Sequence, residues 1–322
     1  MDSVVRFGIL GASNFAANHM APAIHAAKGV KLAAIATSAP SKAEPFQAFC
    51  PDIEVLGSYD ALLADPNIDA VYIPLPNHLH VEWSLRAIAA GKHVLCEKPI
   101  ALKAPQIDAL IAARDASGLV VAEAYMIVHH PQWQRAKALL NEGAIGKLLH
   151  VDGVFSYYNS DMGNIRNKPE TGGGGIPDIG VYPYGAVRWM TGQEPRKITS
   201  TKITWENEVD VVAAVGADFD DFTFQSLVSM RMANRQSMVF HGDKAVMTIR
   251  TPFNANVFDL ADIEISYPDE RRVYERFTSI NHYICQVENF AHSVRTGADY
   301  PWPLEQAQGT QAMIDTIYAA AR

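Results

Sequence analysis

The chain has 322 residues, 48% of them apolar and 19% charged, which is enough apolar mass for two domains with sizeable cores. Its formal net charge is -8 and it contains no basic run, which argues against nucleic acid or an acidic membrane as partner, because both are bound through clustered Lys and Arg. No segment approaches the roughly 20 apolar residues that cross a bilayer, and the first apolar run begins at Val4 without a charged-then-apolar leader, so a cytoplasmic protein is expected.

Up to about residue 125, the short runs VVRFGILGA, VKLAAIAT, DAVYIPLP, KHVLCEKP and LVVAEAY alternate with helical patterns such as HLHVEWSLRAIAAG, which stops at Gly91. Continuous apolar strands separated by helices predict a doubly wound parallel sheet covered on both faces. After Tyr125 the pattern changes. One helix, PQWQRAKALLNEGAIG, precedes long alternating strands, KLLHVDGVFSYY, KITSTKITWEN, DVVAAVGADF, DFTFQSLVSMRM, RQSMVFHG and KAVMTIR, with helices at PDIGVYPYGAVRWM, NHYICQVENFAHSVR and the final PLEQAQGTQAMIDTIYAAAR. Period-two alternation predicts a largely antiparallel sheet with one covered face, whose other face could meet a second subunit. The fold class is therefore α/β: an N-terminal Rossmann dinucleotide-binding domain over 1–124, then a C-terminal α+β domain over 125–322 with a large, mainly antiparallel sheet. Cys50, Cys96 and Cys285, odd in number and widely spaced, suit reduced thiols, and no metal is expected.

RFGILGASNFA sets Gly11, Ser13 and Ala16 at the three positions of the dinucleotide fingerprint, with Asn14 and Phe15 at the start of the following helix. Only the first of the three is glycine. Ser13 departs from the pattern, yet its hydroxyl and amide can still face a phosphate at a helix N-terminus. The second strand ends ATSAPSKAE, where Thr37 and Ser38 stand in the place of the acid that holds an NAD ribose, and Lys42 follows within a helical turn. That favours NADP over NAD, the alternative being that Ser38 caps the next helix.

With the glycine turn, PLPNHLH, GKHVLCEKP and GGGGIPDIGVYPYG, the chain resembles the family of glucose-fructose oxidoreductase and inositol dehydrogenase (Gfo/Idh/MocA) over essentially its whole length, and within it the dihydrodiol and xylose dehydrogenase branch. The resemblance implies a cis bond before Pro99, cofactor contacts from Pro74, Asn77, His78, Glu97 and Lys98, and a general acid/base role for Tyr182. Lys98 lies just past a strand end, the place from which α/β sheets address their ligand, and a lysine beside an oxidised nicotinamide is pushed towards its neutral form. The alternative is a surface lysine paired with Glu97. Asp178 and Tyr182, four apart, fall on one face of a helix, and a tyrosine with an ordinary pKa of about 10 needs a nearby cation such as Lys98 to serve as acid or base. The alternative there is a core tyrosine and a carboxylate stabilised by the helix dipole. Tyr125, His130 and Arg166 are the candidate substrate contacts, His130 having junction packing as its alternative.

The expected function is an NAD(P)-dependent oxidoreductase transferring hydride between nicotinamide and a sugar or polyol, aldose or cyclitol, with Lys98 and Tyr182 as the acid/base pair and Asp178 orienting the substrate. The alternatives are an anhydro-ketose or aldehyde reductase, a trans-dihydrodiol dehydrogenase, and a non-catalytic NAD(P)-sensing protein. Family habit and the open sheet face predict a homodimer or homotetramer.

Overall fold

The computed structural model describes residues 4–255 and 258–321. They divide into two compact units: residues through His129 together with Asn281–Ala307, and His130–Ile280 together with residues from Gln308 on.

The first unit is built on β1 (Val5–Leu10), β2 (Val30–Ala36), β3 (Glu54–Leu56), β4 (Ala70–Ile73), β5 (His93–Glu97) and β6 (Val121–Ala124). They form one sheet in the order β3-β2-β1-β4-β5-β6, parallel throughout. β4 is buried at every residue and β1 at all but Arg6, which is why these central strands read as unbroken apolar runs. The strand order reverses at β1, so the crevice beyond the carboxyl ends of β1 and β4 is the expected ligand position.

The segment Asn281–Ala307 belongs with this first unit, whereas the sequence grouped all of 125–322. The helix His282–Thr296 starts where Asn281 Oδ1 accepts the Tyr283 and Ile284 amides, and it ends on left-handed Gly297. Its apolar face is Tyr283, Val287, Phe290 and Ala291, and Phe290 packs on Phe7 of β1 with ring centroids 5.6 Å apart. Burying one such phenylalanine is worth about 1.5–3 kcal/mol, and amphipathicity specifies only that a face is buried, not against what.

The second unit carries β7 (Leu148–Tyr158), β8 (Lys197–Glu206), β9 (Val209–Asp218), β10 (Thr223–Ser229), β11 (Arg231–Gly242), β12 (Val246–Ile249), β13 (Ala261–Ser266) and β14 (Arg272–Phe277). The sheet runs β14-β13-β12-β11-β7-β10-β9-β8. It is antiparallel except for β10 beside β7, which pair in parallel from Thr223 opposite His150 to Ser229 opposite Ser156. β13 and β14 extend the sheet beyond the predicted strands. In β13 the acids Asp262 and Glu264 occupy buried positions, and Glu264 is satisfied by Arg250 and Arg272, so charge masks the apolar run. Among the described residues no helix is long and apolar enough to cross a membrane, and no group of three or more His, Cys, Asp or Glu is placed to hold a metal.

Candidate active site

In the first unit the predicted cofactor residues collect at the carboxyl edge of the sheet. Gly11 follows β1 with φ +101°, and a Cβ there would come 3.0 Å from Leu75 and 3.2 Å from the Tyr59 hydroxyl. Only glycine leaves that space open. Ser13 Oγ accepts the Ala16 amide at 3.1 Å, so the hydroxyl caps the helix start while the small side chain keeps the turn tight. Asn14 is exposed, whereas the Phe15 ring packs edge-on against Tyr283 at 5.7 Å. After β2, Thr37 is buried and its hydroxyl bonds the Ala39 backbone, leaving Ser38 and Lys42 exposed. The turn that follows is preceded by Ala39 without a side-chain cap, so Ser38 is not its cap. A glycine cradle ahead of a helix start, with no acid at the end of β2, fits a dinucleotide with a phosphorylated ribose.

Pro74, buried, and Asn77 and His78, the latter exposed, follow β4; Glu97 and Lys98 close β5, and the Lys98–Pro99 bond is cis. Tyr72 donates to Glu97 Oε1 at 2.7 Å, which holds that acid from the neighbouring strand. His80 is a contributor that sequence reasoning missed. It is fully buried, with Nδ1 2.7 Å from the Pro99 carbonyl and Nε2 2.7 Å from the Leu75 carbonyl, so it ties the loop after β5 to the loop after β4. Burial lowers its pKa to about 4, against the pull of the two carbonyls, and a neutral ring has one N–H to share between them. Glu123 on β6 braces the same loop from below, accepting the Ile100 amide and the Trp302 indole N–H at 2.9 Å each. Burial raises its pKa, while Lys98 is among the groups that pull it back. Tyr125 is fully buried and stacked on Trp302 at 4.1 Å, a core ring at a position expected to meet substrate.

In the second unit, the glycine run leads into a π-turn, Ile176–Gly180, and then the helix Val181–Thr191. The sequence predicted a plain helix; the wider turn sits under Asp178, and such turns recur at functional sites. Asp178 has both oxygens engaged: Arg166 Nε lies 3.0 Å from Oδ1, and Tyr157 of β7 donates to Oδ2 at 2.6 Å. Arg166 rides a short turn, Ile165–Asn167, whose Asn164 accepts the Arg166 amide. Asp178 above all, and then Tyr157 and Tyr182, favour its charged form. Burial and the neighbouring Asp178 push the Tyr157 phenol up, so it remains a donor. Tyr182 is buried among rings, 5.5 Å from Phe253 and 5.7 Å from Phe155.

Two further contributors went unread. Tyr157 looked like one alternating residue in VFSYY. Asp210, a buried acid in a strand rich in valine and alanine, accepts the Ile176 amide at 2.7 Å and the Tyr318 hydroxyl at 2.8 Å. It anchors the first turn of the helix that presents Asp178 and Tyr182. Gly174, with φ +140°, leaves room for it, since a Cβ there would lie 2.1 Å from Asp210 Oδ1. Burial raises the Asp210 pKa to about 6. His130 caps the helix Pro131–Asn141 by accepting the Gln132 amide at 3.1 Å and packs against Phe277, a structural engagement for a candidate substrate contact.

Residues 5–125 match the family model described as oxidoreductase family, NAD-binding Rossmann fold, and residues 133–248 match the GFO/IDH/MocA C-terminal domain. The chain is 32% identical to a D-xylose 1-dehydrogenase (NADP(+)) of Haloferax volcanii, covering 98% of this chain and 97% of that protein. It is 31% identical to a dTDP-3,4-didehydro-2,6-dideoxy-alpha-D-glucose 3-reductase of Actinomadura kijaniata, covering 99% and 96%. A crystal structure of a 3-ketoreductase from Actinomadura kijaniata with NADP and TDP-benzene superposes with a TM-score of 0.91 at 28% identity, over 99% of this chain and 98% of that one. With a glycine cradle on the parallel sheet, a lysine and cis proline after β5, and matching models over both parts, the chain belongs to the Gfo/Idh/MocA oxidoreductase family.

Proposed function

We propose that the protein is an NADP-preferring oxidoreductase that interconverts a carbinol and a carbonyl on a sugar or polyol, with Tyr182 as the acid/base and Lys98 as its partner. The observation that carries the reading is Lys98 beside the cis Pro99 at the carboxyl edge of the dinucleotide sheet, braced by His80 and Glu123 through the loop it belongs to. The cofactor supplies a nicotinamide that accepts or donates a hydride. Gly11, Ser13 and the loops after β4 and β5 would hold it, and Ser38 and Lys42 would meet its 2'-phosphate. In oxidation Tyr182 takes the hydroxyl proton as the carbon gives up hydride, Lys98 steadies that proton, and Asp178 fixes the orientation of the helix face that bears Tyr182. Variants of the Actinomadura ketoreductase solved in the same series alter a lysine and a tyrosine that lie as far apart along their chain as Lys98 and Tyr182 do here, which supports the assignment.

A free aldose is the first substrate class, on the likeness to the xylose dehydrogenase; a nucleotide-linked keto-sugar is the second, on the likeness to the dTDP-sugar 3-reductase. The test is fluorescence titration with NADPH and NADH, then turnover on aldoses, inositols, anhydro- and keto-sugars and dTDP-sugars. Turnover that falls at least about 100-fold in Lys98→Ala and Tyr182→Phe, with NADPH binding kept, supports the reading. NADPH binding without turnover on any panel member would move the protein to a cofactor-sensing role. A homodimer or homotetramer is proposed from the sheet face that exposes Tyr158 and Tyr274, with light scattering as the check.

A further inference from the structure

We infer that Phe253, on the loop after β12, is a positioning residue for Tyr182: it sets the plane of the Tyr182 ring and so the place where the phenol hydroxyl stands. Its effect on turnover rests on the acid/base reading of Tyr182. Three rings of the second unit close a triangle. Phe253 stacks on Phe155 at 5.1 Å with 15° between the planes, Tyr182 lies 5.5 Å from Phe253 at 29°, and Phe155 lies 5.7 Å from Tyr182 at 43°. Each ring meets the other two, so none turns about χ1 without displacing a neighbour. Phe155 is fixed by its place in β7, where it pairs with Gln236 of β11, and Tyr182 by the helix it helps to begin. Phe253 is the one corner carried by a connection between strands. Side chains from elsewhere hold the residues on both sides of it. The wholly buried Trp133 indole, on the helix Pro131–Asn141, donates to the Pro252 carbonyl at 2.6 Å. Gln236 and Asn254 hold each other twice, the Asn254 backbone amide donating to Gln236 Oε1 at 3.1 Å and Gln236 Nε2 donating to Asn254 Oδ1 at 2.6 Å. Buried polar groups need partners in any case, but these two anchors bracket a single residue, and that residue is 0% exposed. A ring with no exposed surface does not touch a substrate, so it bears on the chemistry only through Tyr182. The phenol oxygen lies at the far end of its ring, where a tilt of the plane becomes a displacement, and proton transfer needs that oxygen within hydrogen-bond reach.

The test is fluorine NMR of the full-length protein labelled with meta-fluorotyrosine, the Tyr182 signal being identified by its loss in Tyr182→Phe. In Phe253→Leu that signal should broaden or split as the ring takes more than one orientation, with NADPH binding kept; a shift alone reports only the lost ring current of Phe253. On a substrate found by the turnover panel, kcat should fall at least about tenfold while KM stays within about threefold. Gln236→Ala, which keeps all three rings and frees one side of the loop, should broaden the same signal to a smaller extent and serves where Phe253→Leu does not fold. A single sharp Tyr182 signal in folded Phe253→Leu overturns the inference, as does a rise in KM with kcat unchanged, the mark of a pocket wall. Where the signal broadens and turnover stays parental, Tyr182→Phe decides: an inactive Tyr182→Phe overturns the positioning role, and a fully active one upholds the hold on the ring and removes the acid/base reading instead. In a parent without turnover the acid/base reading falls, and the signal alone decides whether Phe253 holds the ring.

Discussion

Replacing Asp210 by asparagine should flatten the acid-to-neutral dependence of stability. Asp210 is 2% exposed, and burial raises its carboxyl from 3.8 to about 6. A raised carboxyl pKa means the folded state prefers the protonated form, so the contribution is fully favourable below pH 3.8, is lost as the pH rises through 6, and stays lost above it. A difference of about two units corresponds to about 3 kcal/mol at neutral pH. The asparagine carbonyl can still accept the Ile176 amide, and its amide can donate to Tyr318, so the two bonds survive without a buried charge. Urea unfolding of parent and variant at pH 4, 5, 6 and 8 measures the effect, and other carboxylates cancel in the difference. The variant should gain on the parent by about 2–2.5 kcal/mol between pH 4 and pH 8, because the unfolded carboxyl is already partly ionised at pH 4. A stability difference that does not change with pH would refute the argument that this acid is ionised at a cost.

Ser38→Asp places a carboxylate at the exposed end of β2, and it should weaken NADPH at least about tenfold while strengthening NADH, read by fluorescence titration of each. His80→Phe removes the ring N–H shared between the Pro99 and Leu75 carbonyls; kcat should fall at least about tenfold with a smaller change in NADPH affinity, whereas an unchanged kcat would mean that the loops hold themselves.

The doubly wound sheet was legible because buried parallel strands such as β4 are unbroken apolar runs. Lys98 was legible because it stands just past a strand end, where an open α/β sheet meets its ligand, whereas the cis bond before Pro99 was expected from the family resemblance alone. The parallel register of β10 on β7 was not, since alternation reports which face is buried and says nothing about the neighbour. Tyr157 and Asp210 escaped for a related reason: each is an ordinary strand position until the helix with Asp178 is laid over it. Asp210 did leave a trace, an acid set between valines in an apolar strand, which ought to be read as a buried group with partners. His80 flanks the crevice loop in the sequence, but nothing local distinguishes a ring that joins two loops from one on a helix surface.

The return of Asn281–Ala307 to the first unit has a consequence for how the protein is made. During synthesis the parallel sheet leaves the ribosome long before the helix His282–Thr296, and until then Phe7 and Phe15 lack Phe290 and Tyr283, and Glu123 lacks the indole of Trp302. The nucleotide-binding half therefore cannot mature first and wait, as N-terminal domains commonly do. It must remain incompletely covered while the entire second sheet is translated, so the newborn chain should lean on chaperones at that stage, and a fragment cut after His129 should be far less soluble than one that carries residues 281–307 appended through a linker.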